Sequence, residues 1–304
     1  MVADFLVISR RKVENPDFRH VLGHGSILLL KYELKSINFI GMSSLNKILI
    51  PFDFSEASVN ALEYVVNFVG TEKFIGIVGL YVGAMPISAS DNEKLGKDFF
   101  KVLESFEVRL KVAPEFITDS GEVINTILSV QEKSDADLIM MGTMGDKITD
   151  EAITNTSKLV LEANCPVISI PYGTEIKDPK NIALVMGGER IDDKEVLGTL
   201  LDVARTFDAR VHVLTIYKDS IYDEEAVIES NENLLEYYLE HFYADHTFTK
   251  NEDIEQGILD YIKEKNIDLL TILPRNHTEK STPSEGRLTK LLTLHSEIPV
   301  LALD

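Results

Sequence analysis

From Asn46 onward the chain alternates short apolar runs with apolar stripes at helical spacing. The segment Lys47-Ile-Leu-Ile-Pro-Phe-Asp53 centres on a continuous apolar run, as a parallel strand buried on both faces requires. Ser55 is placed to cap a helix whose apolar residues Leu62, Val65, Val66 and Val69 recur at helical spacing, and Gly70 to end it. Phe74 to Val82 predicts the second strand. Leu95, Phe99, Leu103, Phe106 and Leu110 then stripe a long helix. Phe116 to Thr118 predicts a short third strand, and Val123, Ile124, Ile127 and Leu128 the core face of the next helix. Ala136 to Thr143 is the fourth strand, a helix spans 155–164, and Pro166 to Pro171 is the fifth strand. Such alternation implies right-handed crossovers and a doubly wound α/β sheet, parallel and five-stranded, flanked by helices.

The scheme restarts at Asn181, with strands over Asn181 to Met186 and Arg210 to Tyr217. The segment ILSVQEKSDADLIMMG (127–142) aligns without a gap to ILDYIKEKNIDLLTIL (258–273), and CPVISI (165–170) to IPVLAL (298–303). Asp137 and Asp268 stand 131 residues apart and Pro166 and Pro299 stand 133 apart, so the second copy holds two more residues between them. A repeat this long indicates two tandem domains, 45–174 and 175–304, rather than a short-period solenoid. Residues 1–44 form a leader without a clean period: either a basic arm, or a stretch ahead of a true start at Met42.

Charge narrows the partners. Thirty Lys and Arg against fifty Asp and Glu give −20, which disfavours nucleic acid and an anionic membrane surface. Residues 1–41 run the other way, with six basic and four acidic side chains. A single cysteine, Cys165, permits no internal disulfide and fits a reducing cytoplasm. No run approaches the ~20 apolar residues of a membrane-spanning helix.

Ligands of open α/β sheets bind beyond the carboxyl ends of the strands, where strand order reverses. Pro51, Phe52 and Asp53 end the first strand there, Val82 the second, and Met141, Gly142 and Gly145 follow the fourth. The two glycines would let backbone approach a phosphate. The helix beginning near Thr154 would point free N–H groups at it, with hydroxyls from Thr154, Thr156 and Ser157 nearby. Asp53 is an acceptor suited to ribose hydroxyls or an adenine amino group. The same residues admit a purely structural account: a tight turn at the glycines, an N-cap at Thr154 or Thr156, and an Asp53 that orients its own loop. Asp146, Lys147, Asp150 and Glu151 make the intervening loop net negative, so a triphosphate there would come with a divalent ion such as Mg2+.

The stretches KILIPFDFSEASVNAL, MGTMG and NTSKLVLEANCPVISI resemble the universal stress protein family, and the likeness extends in two copies from residue 46 onward. The resemblance implies a five-stranded parallel sheet and, in one branch, ATP held by Gly-x-x-Gly, nine residues, then Gly-Ser or Gly-Thr. Gly142 and Gly145 match the first pair. The third glycine is replaced: nine residues on stand Asn155-Thr156, and a register anchored on Cys165-Pro166 gives Ile153-Thr154. Asn tolerates the left-handed backbone better. In the second copy Leu273 and Asn276 replace the glycine pair, Gly187 falls where Asp53 does, and Gly286 alone remains in the later loop. The resemblance also implies pairing through the last strands, here within one chain as a pseudo-dimer.

No Gly-x-Ser-x-Gly elbow and no Walker loop occurs. His212, His241, His246, His277 and His295 lack metal-ligand spacing, and His20 with His24 lies in a glycine-broken stretch. Leu234, Leu235, Tyr238, Leu239 and Phe242 stripe an acidic helix over 223–243, as core or as a partner surface. The reading is a non-catalytic regulatory stress protein with ATP or another adenine nucleotide in the first domain. An interaction module without nucleotide is the alternative. A hydrolase would have only Asp53 and Asp146 to work with.

Overall fold

A computed structural model describes residues 45–144, 154–186, 196–217, 233–273 and 287–303. The chain divides into Met1–Ser43 and Ser44–Asp304, and the described residues belong to the second unit. The first half runs β1 (Lys47–Pro51), α1 (Glu56–Val69), β2 (Gly76–Gly83), α2 (Ala89–Glu104), β3 (Glu115–Ser120), α3 (Val123–Ser134), β4 (Leu138–Thr143), α4 (Asn155–Glu162) and β5 (Val167–Pro171). The second runs β6 (Asn181–Met186), α5 (Leu197–Phe207), β7 (Arg210–Tyr217), α6 (233–239), β8 (Tyr243–Lys250), α7 (Ile254–Lys265), β9 (Leu269–Ile272), α8 (Arg287–His295) and β10 (Val300–Ala302).

The ten strands make one sheet, ordered β3-β2-β1-β4-β5-β10-β9-β6-β7-β8. Each half is parallel throughout, and the halves meet antiparallel at β5 and β10. The expected fold class therefore holds, with both copies merged into one sheet rather than standing as two. Strand order reverses between β1 and β4, and again between β6 and β9.

The apolar runs fill both faces, as their continuity requires. Ile48 and Ile50 of β1 face a layer with α1, α2, α5 and α6, while Leu49 faces a layer with α3, α4, α7 and α8. Across the seam Val300 pairs with Ser169, Leu301 with Ile168 and Ala302 with Val167. Ile168 and Leu301 occupy equivalent positions in the two halves, so a local two-fold passes through their pair. Above it the Phe68 ring of α1 meets Phe207 of α5 at 4.7 Å. Lys73 donates to the Phe68 carbonyl at 2.6 Å and sets its ammonium 4.3 Å from the Phe207 ring.

Three expectations change. The long stripe after β2 breaks: α2 ends at Glu104, Glu107 turns left-handed, and Phe106 and Leu110 pack from the following loop. Phe74 lies ahead of β2 and is 76% exposed. The acidic stripe does not continue as helix to Tyr243. A 3-10 turn over Glu240–Phe242 closes it, and Tyr243 opens β8, whose half-buried pattern lacks the apolar run of an inner strand.

Candidate functional site

Helix α1 begins on a short polar knot at the end of β1. The Phe52 amide donates to the Leu80 carbonyl at 2.7 Å, and its buried ring stands edge-on to Phe99 and Phe54. Phe54 takes φ 65°, a left-handed turn that leaves Asp53 exposed. The Ser55 amide and hydroxyl both donate to Asp53 Oδ1, at 3.0 and 2.5 Å. Ser55 Oγ in turn accepts from the Ser58 amide, which caps α1. Burial works to raise the Asp53 pKa, but the bonds from Ser55 and Ser58 outweigh it and hold the carboxyl below its ordinary value. An ionised, aimed acceptor results.

Gly142 meets α1 from β4. A Cβ added there would lie 2.2 Å from the Ala57 carbonyl oxygen. What approaches Gly142 on that side is the first turn of α1, so its size serves helix-on-strand packing. Thr156 donates from its buried hydroxyl to the Gly142 carbonyl at 3.3 Å, tying α4 to the same strand end. Thr154 caps α4, accepting from the Ser157 amide at 3.0 Å, and the buried Ser157 hydroxyl donates back to the Thr154 carbonyl. The three hydroxyls expected to face a ligand thus serve the start of α4. Exposed Asn155 is the first residue of that helix.

The Asp53 knot, the end of β4 and the start of α4 therefore converge at the strand-order reversal. Pro51 and Phe52 are buried, while Val82 and Met141 pack half-buried against the layer that holds α3 and α4. Gly145 and the acidic positions Asp146, Lys147, Asp150 and Glu151 lie outside the described residues. So do Gly187, Asn276, His277, Gly286, His20 and His24. Leu273, at the Gly142 position of the second half, packs half-buried on the layer of α5 and α6. Ser58 and Ala57 were not singled out from sequence. The Asp-x-Ser spacing of Asp53 and Ser55, which favours a side-chain turn onto the backbone two residues on, was the available signal.

Histidines are used structurally in the second half. His212 Nδ1 lies 2.9 Å from Asp245, and His246 Nε2 lies 2.9 Å from the Thr215 hydroxyl. Cys165 is buried and reduced, beneath the loop into β5. Among the described residues no cluster of three or more His, Cys, Asp or Glu is arranged to hold a metal, and no helix is long and apolar enough to cross a membrane.

Residues 44–171 match the model of the universal stress protein family. The chain is 27% identical over 162 residues to a universal stress protein of Methanocaldococcus jannaschii, a span covering 47% of this chain and 93% of that one. It is similar in fold to a universal stress protein from Archaeoglobus fulgidus, with a TM-score of 0.64 at 17% identity, covering 85% of this chain and 98% of that one. A putative universal stress protein from Pseudomonas aeruginosa gives a TM-score of 0.59 at 14% identity, covering 86% and 93%. Through the family match of its first half and a fold shared along both halves, the chain belongs to the universal stress protein family.

Proposed function

We propose that the chain is a cytoplasmic regulatory protein of the stress response, with domains at 45–174 and 175–304, that holds an adenine nucleotide in its first domain. The observation that carries this reading is the Asp53 carboxylate, ionised and aimed by Ser55 beside the strand-order reversal between β1 and β4. An acceptor held in that way suits the amino group of adenine or a ribose hydroxyl. Asn155 and Thr156 open α4 at the same place, where backbone N–H groups favour a phosphate. A triphosphate would bring Mg2+ with it. The protein acts by binding, with no catalytic role for its residues. The halves form the intrachain pair, and nucleotide occupancy is read by a protein partner through the surface around Asp53 and α4.

The engaged hydroxyls of Thr154, Thr156 and Ser157 favour a second reading, an interaction module without nucleotide. Mass spectrometry of small molecules released from natively purified protein separates the two. The first reading predicts a stoichiometric adenine nucleotide that is absent from Asp53→Ala. The second predicts none from either protein.

A further inference from the structure

A groove of about 660 Å³ runs along α7 in the second half, at the amino ends of β9 and β10. This is the opposite end of the sheet from the Asp53 knot, and the argument below does not depend on nucleotide binding. The volume falls within the range of small-molecule sites. One wall is α7 and the other is the end of α8 with the turn into β10. Its floor is apolar, from Leu259, Ile262 and Ile298.

Comparison of the halves locates what is unusual. Helix α7 repeats α3 at an offset of 131 residues, so Glu255 stands where the first half has Ile124, a core side chain 2% exposed. At the offset of 133, His295 stands where α4 has Glu162. The pair bridges the groove, with His295 Nδ1 2.5 Å from Glu255 Oε1. A carboxylate thus replaces a core isoleucine, a substitution that costs stability unless the charge has a use.

Charge is distributed along the groove. Asp253 and Glu255 lie at the start of α7, Asp268 beyond its end, and Glu297 on the facing wall, against Lys177 and Lys263. Residues 255 and 266 are separated by ~16 Å of helix. One end already holds an alkylammonium: Lys177 Nζ lies 3.0 Å from Asp268 Oδ1 and 3.0 Å from Glu175. At the other end, among the described residues, no lysine or arginine pairs with Asp253, Glu255 or Glu297. Glu255 accepts from His295 on one oxygen and keeps acceptor capacity on the other.

From an apolar floor between carboxylates at both ends, we infer that this groove binds an aliphatic polyamine. One ammonium sits on Glu255, the methylenes lie on Leu259, Ile262 and Ile298, and the far ammonium shares the end that Lys177 occupies. Calorimetric titration of the full chain with spermidine tests this, with putrescine and glutarate as controls at matched ionic strength. Saturable one-site binding is expected, weaker for the shorter putrescine and absent for glutarate. Glu255→Gln weakens spermidine binding about tenfold. Glu255→Ile abolishes it while raising the melting temperature, because it restores the residue that the first half buries. Equal spermidine affinity in wild type and both variants would reduce the effect to counterion binding by an acidic chain. That result, no binding at all, or equal binding of glutarate overturns the inference.

Discussion

A methyl group at Gly142 would collide with the carbonyl of Ala57, and neither backbone can give way without moving α1 off the sheet. Gly142→Ala is therefore expected to cost ~3 kcal/mol of unfolding free energy, read from urea denaturation, since overpacking against backbone falls at the upper end of such penalties. His246 acts by pH instead. Burial lowers its pKa from the ordinary 6.5 to about 4, against the opposing pull of Asp245. Between those values the unfolded chain takes up a proton that the native chain does not, so stability falls as pH drops from 6.5 toward 4. His246→Gln should flatten the unfolding free energy across that window. Asp245, whose pKa is lowered mainly against burial by its bond from His212, loses its contribution only below the ordinary 3.8. The two groups therefore act in separate pH ranges.

Elements repeat between the halves down to their fastenings. Asp137 Oδ2 accepts the amides of Asn46 and Lys47 at 2.7 and 2.8 Å, and Asp268 Oδ2 accepts those of Lys180 and Asn181 at 2.9 Å each. Each aspartate pins the start of its first strand beside its fourth. Asp135 and Asn266 end the preceding helices in the same left-handed turn. Replacing either aspartate by Ala should cost ~2–3 kcal/mol, because each carboxylate satisfies two amides. The larger loss is expected at Asp268, which also holds Lys177 of the connecting segment. The inner strands were legible in the sequence because burial on both faces leaves continuous runs such as Ile48 to Ile50. The gapless match of 127–142 to 258–273 carried α7 and β9 in the same way. The edge strand β8 was not legible: Tyr-Ala-Asp-His-Thr-Phe-Thr-Lys is half-buried throughout, and its aromatics extend the helical stripe before it. At the candidate site Asp53 was legible by type and place. The commitment of the Thr156 and Ser157 hydroxyls was not, because it depends on how closely α4 meets β4.

For the whole molecule, the seam determines which edges stay open. Pairing β5 with β10 hides two strand edges inside the chain and leaves β3 and β8 at the ends of the sheet. Because Ile168 and Leu301 pair across a local two-fold, the edge of β5 is suited to a second copy of itself. Residues 44–174 expressed alone should therefore dimerise, and the full chain should not dimerise through this edge; light scattering after gel filtration compares the two. The same architecture sets Asp53 at the start of α1 and the seam at its far end, so one helix spans from the candidate site to the second half. The central claim is that Asp53 anchors an adenine nucleotide in the first half. Isothermal titration of the full chain with ATP and Mg2+ measures it directly, alongside Asp53→Ala shown to be folded by circular dichroism. The account predicts one site per chain in the wild type and at least tenfold weaker binding in the variant. Equal binding by both proteins, or none by the wild type, would contradict it.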